Sequence, residues 1–432
     1  MKIGIGLIIA GGLAFGLLGA KPEVRIDKPN PETYVVPKWV SVPDYPFLRT
    51  DLNQIEFYGD TANFTAIFDQ LDQLIFEGEG NLNIMHIGGS HVQGGSLSNR
   101  MRENLQSLGH GLRGPRGFVF PYRLAHTNGP SNLKVRYTGN WDGFKCSHRK
   151  HNEFWGLSGY VAETRDTLAS LKVWSMASDS TNYLFNRVRV FHSMNTSSYD
   201  VQLDSGLTTT SYWNDTMAYF TEFQLDNWYD TLWLKVIKTD SLQDHFEMRG
   251  IELDNDQPGI TYHAVGVNGA SVPSYLRCDN LETELAVIQP DLVIFGIGIN
   301  DAYGPESRFS QRDFEANYDT LITRIKRVNP DCAFLFLSNN DSYYKRRYAN
   351  RNAIKVRDGM INLAKKHGGG FWDLFNIMGG LNSIKAWENA GLAKRDKIHF
   401  TSSGYVLQAD MMHEAFREAY GNHLEWKFGN QN

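Results

Sequence analysis

Two short segments, one near each end of the chain, hold side chains that together could activate a nucleophile. Gly88-Gly89-Ser90-His91 follows the apolar run 82–87, and Asp396-Lys397-Ile398-His399 lies some three hundred residues later. Serine is a poor nucleophile at neutral pH until a base within hydrogen-bond reach takes its proton, and an imidazole serves when a carboxylate fixes its tautomer. Asp396 stands three positions before His399, so it can reach back to Nδ1 within one loop. Acyl transfer through a catalytic Ser90–His399–Asp396 triad is the chemistry implied. Its tetrahedral intermediate carries a new negative oxygen that requires donors aimed at it. Gly269, in Gly266-Val267-Asn268-Gly269-Ala270, and Asn300, in Gly298-Ile299-Asn300-Asp301, are placed to supply them. The Ser90 N–H, the Gly269 N–H and the Asn300 side-chain amide form the expected oxyanion hole.

These segments matter only if a fold brings them together. Phe64, Ile67, Leu71 and Leu74 recur at helical spacing, followed by a strand at 82–87, a glycine turn and a helix over 96–108. From 109 to 258 the pattern becomes short alternating runs, at 171–176, 186–192, 199–204, 217–226, 232–238 and 246–253, parted by Ser, Thr, Asn, Asp and Gly. This predicts a β-sandwich, jelly-roll-like, that either only interrupts the fold or shapes and binds a carbohydrate substrate. After 259, apolar strands at 262–267, 292–297, 333–337 and 369–372 alternate with helices at 275–288, around 314–325, at 353–366 and at 402–420. Continuous apolar strands between helices mean a parallel sheet covered on both faces. The fold class is therefore α/β, with an α/β domain in two parts, 61–108 and 259–432, split by the insertion 109–258. Residues 21–60, rich in proline and aromatics, read as an extended leader.

The chain has 432 residues and a formal net charge of -5, enough for proper cores and without global attraction to nucleic acid. Residues 1–20 read as an export signal, or alternatively an uncleaved anchor giving membrane attachment. The expected location is periplasm or cell surface. Three dispersed cysteines, Cys146, Cys278 and Cys332, do not make a disulfide framework. His148 and His151 sit in a lysine-bearing loop without a ligand set, so no metal is expected. The run Lys345-Arg346-Arg347 reads as a solvated face. The loop 114–120 either lines the mouth of the site or crosses, buried, into the insertion.

The four segments, in their order and placement, resemble the SGNH hydrolase superfamily, also called GDSL-type esterases. Gly88-Gly89-Ser90 looks like the first block, Gly269 the second, Gly298-Ile299-Asn300-Asp301 the third and Asp396-Lys397-Ile398-His399 the last. The resemblance implies a flavodoxin-like three-layer α/β/α fold and ester hydrolysis or acyl transfer without a cofactor. Gly89 departs from the pattern, which has aspartate there to support the turn. A serine followed by histidine, with a β-rich insertion behind it, resembles the branch of peptidoglycan and polysaccharide O-acetylesterases and acetyltransferases. An exported esterase that removes acetyl groups from a polysaccharide is then the first expectation. An O-acetyltransferase using the same triad and a decayed glycan-binding protein are the alternatives. His91 and Asn340 are the expected substrate contacts, with helix-start and turn roles as the plain alternatives.

Overall fold

The structure, a computed structural model, describes residues 28–429 apart from 151–152, 180–181 and 205. Residues 1–20, expected as a signal or anchor, and His151 lie outside the described residues. Five parallel strands form the central sheet: Asn81–Gly88, Gly259–Gly266, Leu292–Gly296, Ala333–Leu337 and Gly369–Trp372. Taken in chain order, they lie across the sheet as 2-1-3-4-5. That is the flavodoxin-like winding, in which ligands bind at the carboxyl ends where the order reverses, between strands 1 and 3.

Alternate side chains divide cleanly between the two faces. Ile84, Ile260, Ile294, Leu335 and Trp372 pack with the helices Ala62–Asp72, Ser96–Leu105 and Ser402–Phe428. Met85, Val265, Phe295, Phe336 and Phe371 pack with Leu281–Ile288, Gln311–Val328 and Asn352–His367. Three layers result. The expected helix at 275–288 is two helices, Val272–Leu276 and Leu281–Ile288.

The inserted region is a sandwich of two antiparallel sheets. Its core runs into that of the second sheet face without a break, since Trp141, Val190 and Ile251 share one buried cluster with Val293. A buried ion pair of 2.8 Å between Arg249 and Glu284 also ties the two parts, and Glu284 accepts the Leu157 N–H at 2.7 Å. The 114–120 loop contains the buried strand Gly117–Val119, paired with Phe246–Asp254. One strand expectation shifts, and a further strand was not expected. The run placed at 217–226 is Phe220–Tyr229, because Asp215 Oδ1 accepts the N–H groups of Met217 and Ala218 and makes a turn there. Strand Thr209–Asp215 went unread because it is an edge strand without a buried residue, so it shows no alternation.

The leader is more than a surface strap. Its residues Ile55–Tyr58 add an antiparallel edge strand beside Gly369–Trp372. Among the described residues no helix is long and apolar enough to cross a membrane.

The end of strand 2 touches the turn after Ser90 with no room to spare: a Cβ on Gly266 would lie 2.2 Å from the Gln93 backbone nitrogen. Gly266→Ala should therefore lower unfolding free energy by about 1–3 kcal/mol, measured by urea titration.

Candidate active site

Ser90 opens the short helix Ser90–Gln93 directly beyond strand 1. The turn before it is glycine because nothing else fits: a Cβ on Gly88 would lie 2.3 Å from Val92 Cγ2 and 3.2 Å from the Gly296 carbonyl. The Gly88 carbonyl accepts Tyr275 Oη–H at 2.7 Å and the Val267 N–H at 3.2 Å. Backbone and tyrosine thus hold the strand end in place.

His399 Nε2 lies 2.8 Å from Ser90 Oγ, and His399 Nδ1 lies 2.9 Å from Asp396 Oδ2. The other carboxylate oxygen accepts the N–H groups of Ile398 and His399, both at 2.9 Å. Burial alone would raise the Asp396 carboxyl, but the His399 side chain and these two N–H groups outweigh it and hold it well below the ordinary carboxylate range. Asp396 is therefore an anion wherever the imidazole must be steered.

The loop carrying this pair is tied at three successive carbonyls. Lys397 O accepts the Tyr343 N–H at 2.9 Å, Ile398 O accepts Asn340 Nδ2 at 3.1 Å, and His399 O accepts the Lys394 N–H at 2.8 Å. Lys397 itself sits in the left-handed region, at φ 59°, which lets the chain turn between the acid and the base.

Opposite the base, the Ser90 and Gly269 N–H groups have no protein acceptor among the described residues. Gly269 needs its residue type, since its φ is 79°. Asn300 Nδ2 donates to Ala270 O at 2.8 Å and lies 3.3 Å from where a Gly89 Cβ would stand. An amide nitrogen carries two hydrogens, so one remains for an oxyanion. The Asp301 carboxylate accepts the Val272 N–H at 3.1 Å, and burial pushes its pKa up to about 7.

The sequence-derived triad and oxyanion residues, Ser90, Asp396, His399, Gly269 and Asn300, thus converge at one end of the sheet. The two expected substrate contacts take other places. The His91 ring stacks on the His399 ring at 5.1 Å and 25°, and its Nδ1 is 3.0 Å from Tyr405 Oη. Its buried Nε2 has no hydrogen-bond partner among the described residues, and burial, assisted by the His399 charge, pushes its pKa down to about 3. It is a neutral backing for the base. Asn340 is buried and clamps Ile398 O, so it holds the loop that carries His399.

Sequence reasoning missed Gln93. Buried beside the turn, it accepts the Asn268 N–H at 2.6 Å and Tyr160 Oη–H at 2.9 Å, and donates to Asn128 O at 2.6 Å. Thr127, Asn128, Lys145 and Ser147, all from the insertion, also hydrogen-bond to Asn268. The insertion therefore grips the residue next to Gly269. Only its position three residues after Ser90 singled out Gln93 in the sequence.

Residues 240–407 match the model of the GDSL-like Lipase/Acylhydrolase family, a span that holds Gly269, Asn300, Asp396 and His399. No curated protein matches in sequence. Among solved structures, a peptidoglycan O-acetylesterase in action is similar over 85% of this chain and 99% of that one, at 23% identity and a TM-score of 0.66. An acetyl xylan esterase is 22% identical over 37% of this chain and 82% of its own, with a TM-score of 0.29. A GDSL-like lipase from Bacteroides thetaiotaomicron is 18% identical over 37% and 76%, also at 0.29. The class is that of carboxylic-ester hydrolases. The span that matches the GDSL-like lipase/acylhydrolase family covers the end of the insertion and most of the second part of the α/β domain.

Two outcomes follow from this geometry. Asn340→Ala frees the Ile398 carbonyl, so kcat on 4-nitrophenyl acetate should fall roughly tenfold to a hundredfold with KM little changed, read by steady-state kinetics. Asp301 is protonated in the folded state and ionised in the unfolded state between the ordinary carboxylate pKa and about 7. The folded state then binds the extra proton, so this group makes stability fall as pH rises through that window, by up to about 1.4 kcal/mol per pH unit, and level off above it. Urea titrations at several pH values should show that slope reduced in Asp301→Asn.

Proposed function

We propose that this protein is an exported serine esterase that removes O-acetyl groups from a cell-envelope polysaccharide, with Ser90 as nucleophile, His399 as base and Asp396 as its orienting carboxylate. The observation that carries the reading is the hydrogen-bonded line from Ser90 through His399 to Asp396, set against unpaired N–H groups at Ser90 and Gly269.

Ser90 Oγ attacks the acetyl carbonyl carbon while its proton passes to His399 Nε2. The carbonyl oxygen becomes an oxyanion facing the Ser90 and Gly269 N–H groups and the free hydrogen of Asn300 Nδ2. When the tetrahedral adduct collapses, His399 returns the proton to the departing sugar oxygen, leaving acetyl on Ser90. Water, deprotonated by the same nitrogen, then releases acetate and restores the serine. Asp396 stabilises the imidazolium in both halves, and neutral His91 stacks on it without adding a competing charge.

Two features support a polysaccharide as the substrate, and a third supports export. The likeness to a peptidoglycan O-acetylesterase extends through nearly all of that protein. The insertion grips the Gly269 loop through Thr127 and Asn128, which also line a cleft of about 490 Å³ with Arg123, Lys134, Arg136 and Trp174. The apolar N-terminal stretch supports export.

Purified protein should release acetate from O-acetylated peptidoglycan and hydrolyse 4-nitrophenyl acetate, and Ser90→Ala should lose both. Equal rates in the two proteins would falsify the assignment.

A further inference from the structure

The wall of the crevice on the side of strands 4 and 5 carries a charge that the reaction itself does not use. Residues 343–351 contain Lys345, Arg346, Arg347 and Arg351 and no acid, in a chain whose net charge is -5. They form the hairpin Tyr343–Tyr344 with Tyr348–Ala349, whose tip is exposed. This hairpin adjoins the site directly. The Tyr343 N–H binds Lys397 O in the catalytic loop, and the Tyr343 ring lies under Lys397 Nζ at 5.1 Å and Lys385 Nζ at 5.3 Å. On its other side, the Lys345 N–H donates to Tyr303 Oη at 3.1 Å, three residues beyond Asn300.

None of Lys345, Arg346, Arg347, Lys394 or Lys397 forms an ion pair with a carboxylate among the described residues, and Lys385 interacts with the Asp341 carboxylate only through its charge. The nearby ion pairs are Glu306 with Lys355 and Asp358 and Asp373 with Arg357. The backbone makes the same point independently. Lys345 and Arg346 stand at φ 51° and 60°, and Lys397 at 59°. Each such position strains a residue with a Cβ in a way that glycine would avoid. Long cationic side chains occupy them all the same, at the rim of a site where such strain is commonly kept for function. Exposed Tyr303 and Tyr348 add aromatic faces, and a recess of about 300 Å³ separates the hairpin from residues 304–306.

We propose that this wall is a binding surface for an anionic, carboxylate-bearing glycan, running past Ser90 and seated on Arg346, Arg347, Lys385 and the tyrosine faces. Unpaired guanidinium and ammonium groups draw in a polyanion, arginine forks match carboxylate geometry, and tyrosine rings cover the apolar faces of sugars. The inference rests on the polysaccharide reading above and narrows it to acidic polymers.

The test measures equilibrium binding of the full chain to polygalacturonate, neutral xylan and duplex DNA. Wild-type protein should bind polygalacturonate at least roughly tenfold tighter than xylan at about 50 mM salt, and lose that preference at about 500 mM, where screening is strong. The variant Arg346→Glu/Arg347→Glu/Lys385→Glu, with an unchanged thermal midpoint, should lose the preference at low salt. Because the salt titration needs no variant, it reads the proposal even if the triple change fails to fold. Ser90→Ala should bind as wild type does, so failure of the esterase reading leaves this readout intact. Equal binding of the two glycans, a salt-independent preference, an unaffected charge-reversed variant or DNA binding as tight as polygalacturonate would each overturn the proposal.

Discussion

One hydrogen bond, from Ser90 Oγ to His399 Nε2, sets the terms for the rest of the architecture, because it joins groups 309 positions apart. Closing so long a loop costs chain entropy, and neither group stabilises enough by itself to offset it. The parallel sheet does that work. Strand 1 leads to Ser90 and strand 3 to Asn300, so both donors emerge where the winding reverses, and the last helix begins just after His399. The helix Ser402–Phe428 packs on Ser96–Leu105, the helix that follows the nucleophile, and Asp410 accepts both Arg100 and Asn104 across that contact. The base is delivered to the nucleophile by the packing of the helices on either side of them.

That delivery places the imidazole, whereas the oxyanion side depends on the insertion. Asn268 is held by Gln93 from the nucleophile's helix and by Thr127, Asn128, Lys145 and Ser147 from the sandwich. The Gly269 N–H that follows is therefore aimed by two parts of the fold at once. A continuous apolar core and the buried Arg249–Glu284 pair keep those parts in register. Breaking such a pair from one side leaves an uncompensated buried charge, so the sandwich cannot shift freely against the sheet. The inserted sequence is part of the active site's frame and not only an appended module.

This division explains what could be read from the sequence. The parallel strands were legible because both faces are buried and most of the residues are apolar, as in strand 1 with Leu82, Ile84, Met85 and Ile87. The blocks were legible because each falls at a strand end, where type and position both carry information. The intramolecular partners of His91 and Asn340 were not legible because nothing local shows what a distant loop will present to them. His91 meets the His399 ring, and Asn340 meets Ile398 O, 58 positions away. Gln93 was invisible for the same reason, as its partners Asn268, Tyr160 and Asn128 come from far segments. Edge strands Ile55–Tyr58 and Thr209–Asp215 escaped because a half-exposed or fully exposed strand lacks the alternation by which strands are recognised.

Gly89, the one departure from the usual first block, is where decay of the site would be expected to begin, and the surrounding geometry argues otherwise. An aspartate there would brace the turn with hydrogen bonds. Here Tyr275 and Val267 brace the Gly88 carbonyl, Asn300 holds Ala270, and Asp301 holds Val272. The bracing has moved to neighbours. A side chain at Gly89 would also begin 3.3 Å from Asn300 Nδ2 and 3.8 Å from the carbonyls of Ala270 and Val267, so a carboxylate would compete for the donor that the oxyanion needs. Free N–H groups and a partly buried acid–base line cost stability, and without a reaction to serve, substitution would remove them at no loss. Their presence beside a glycine that leaves the donors clear is what an acyl-transfer site requires.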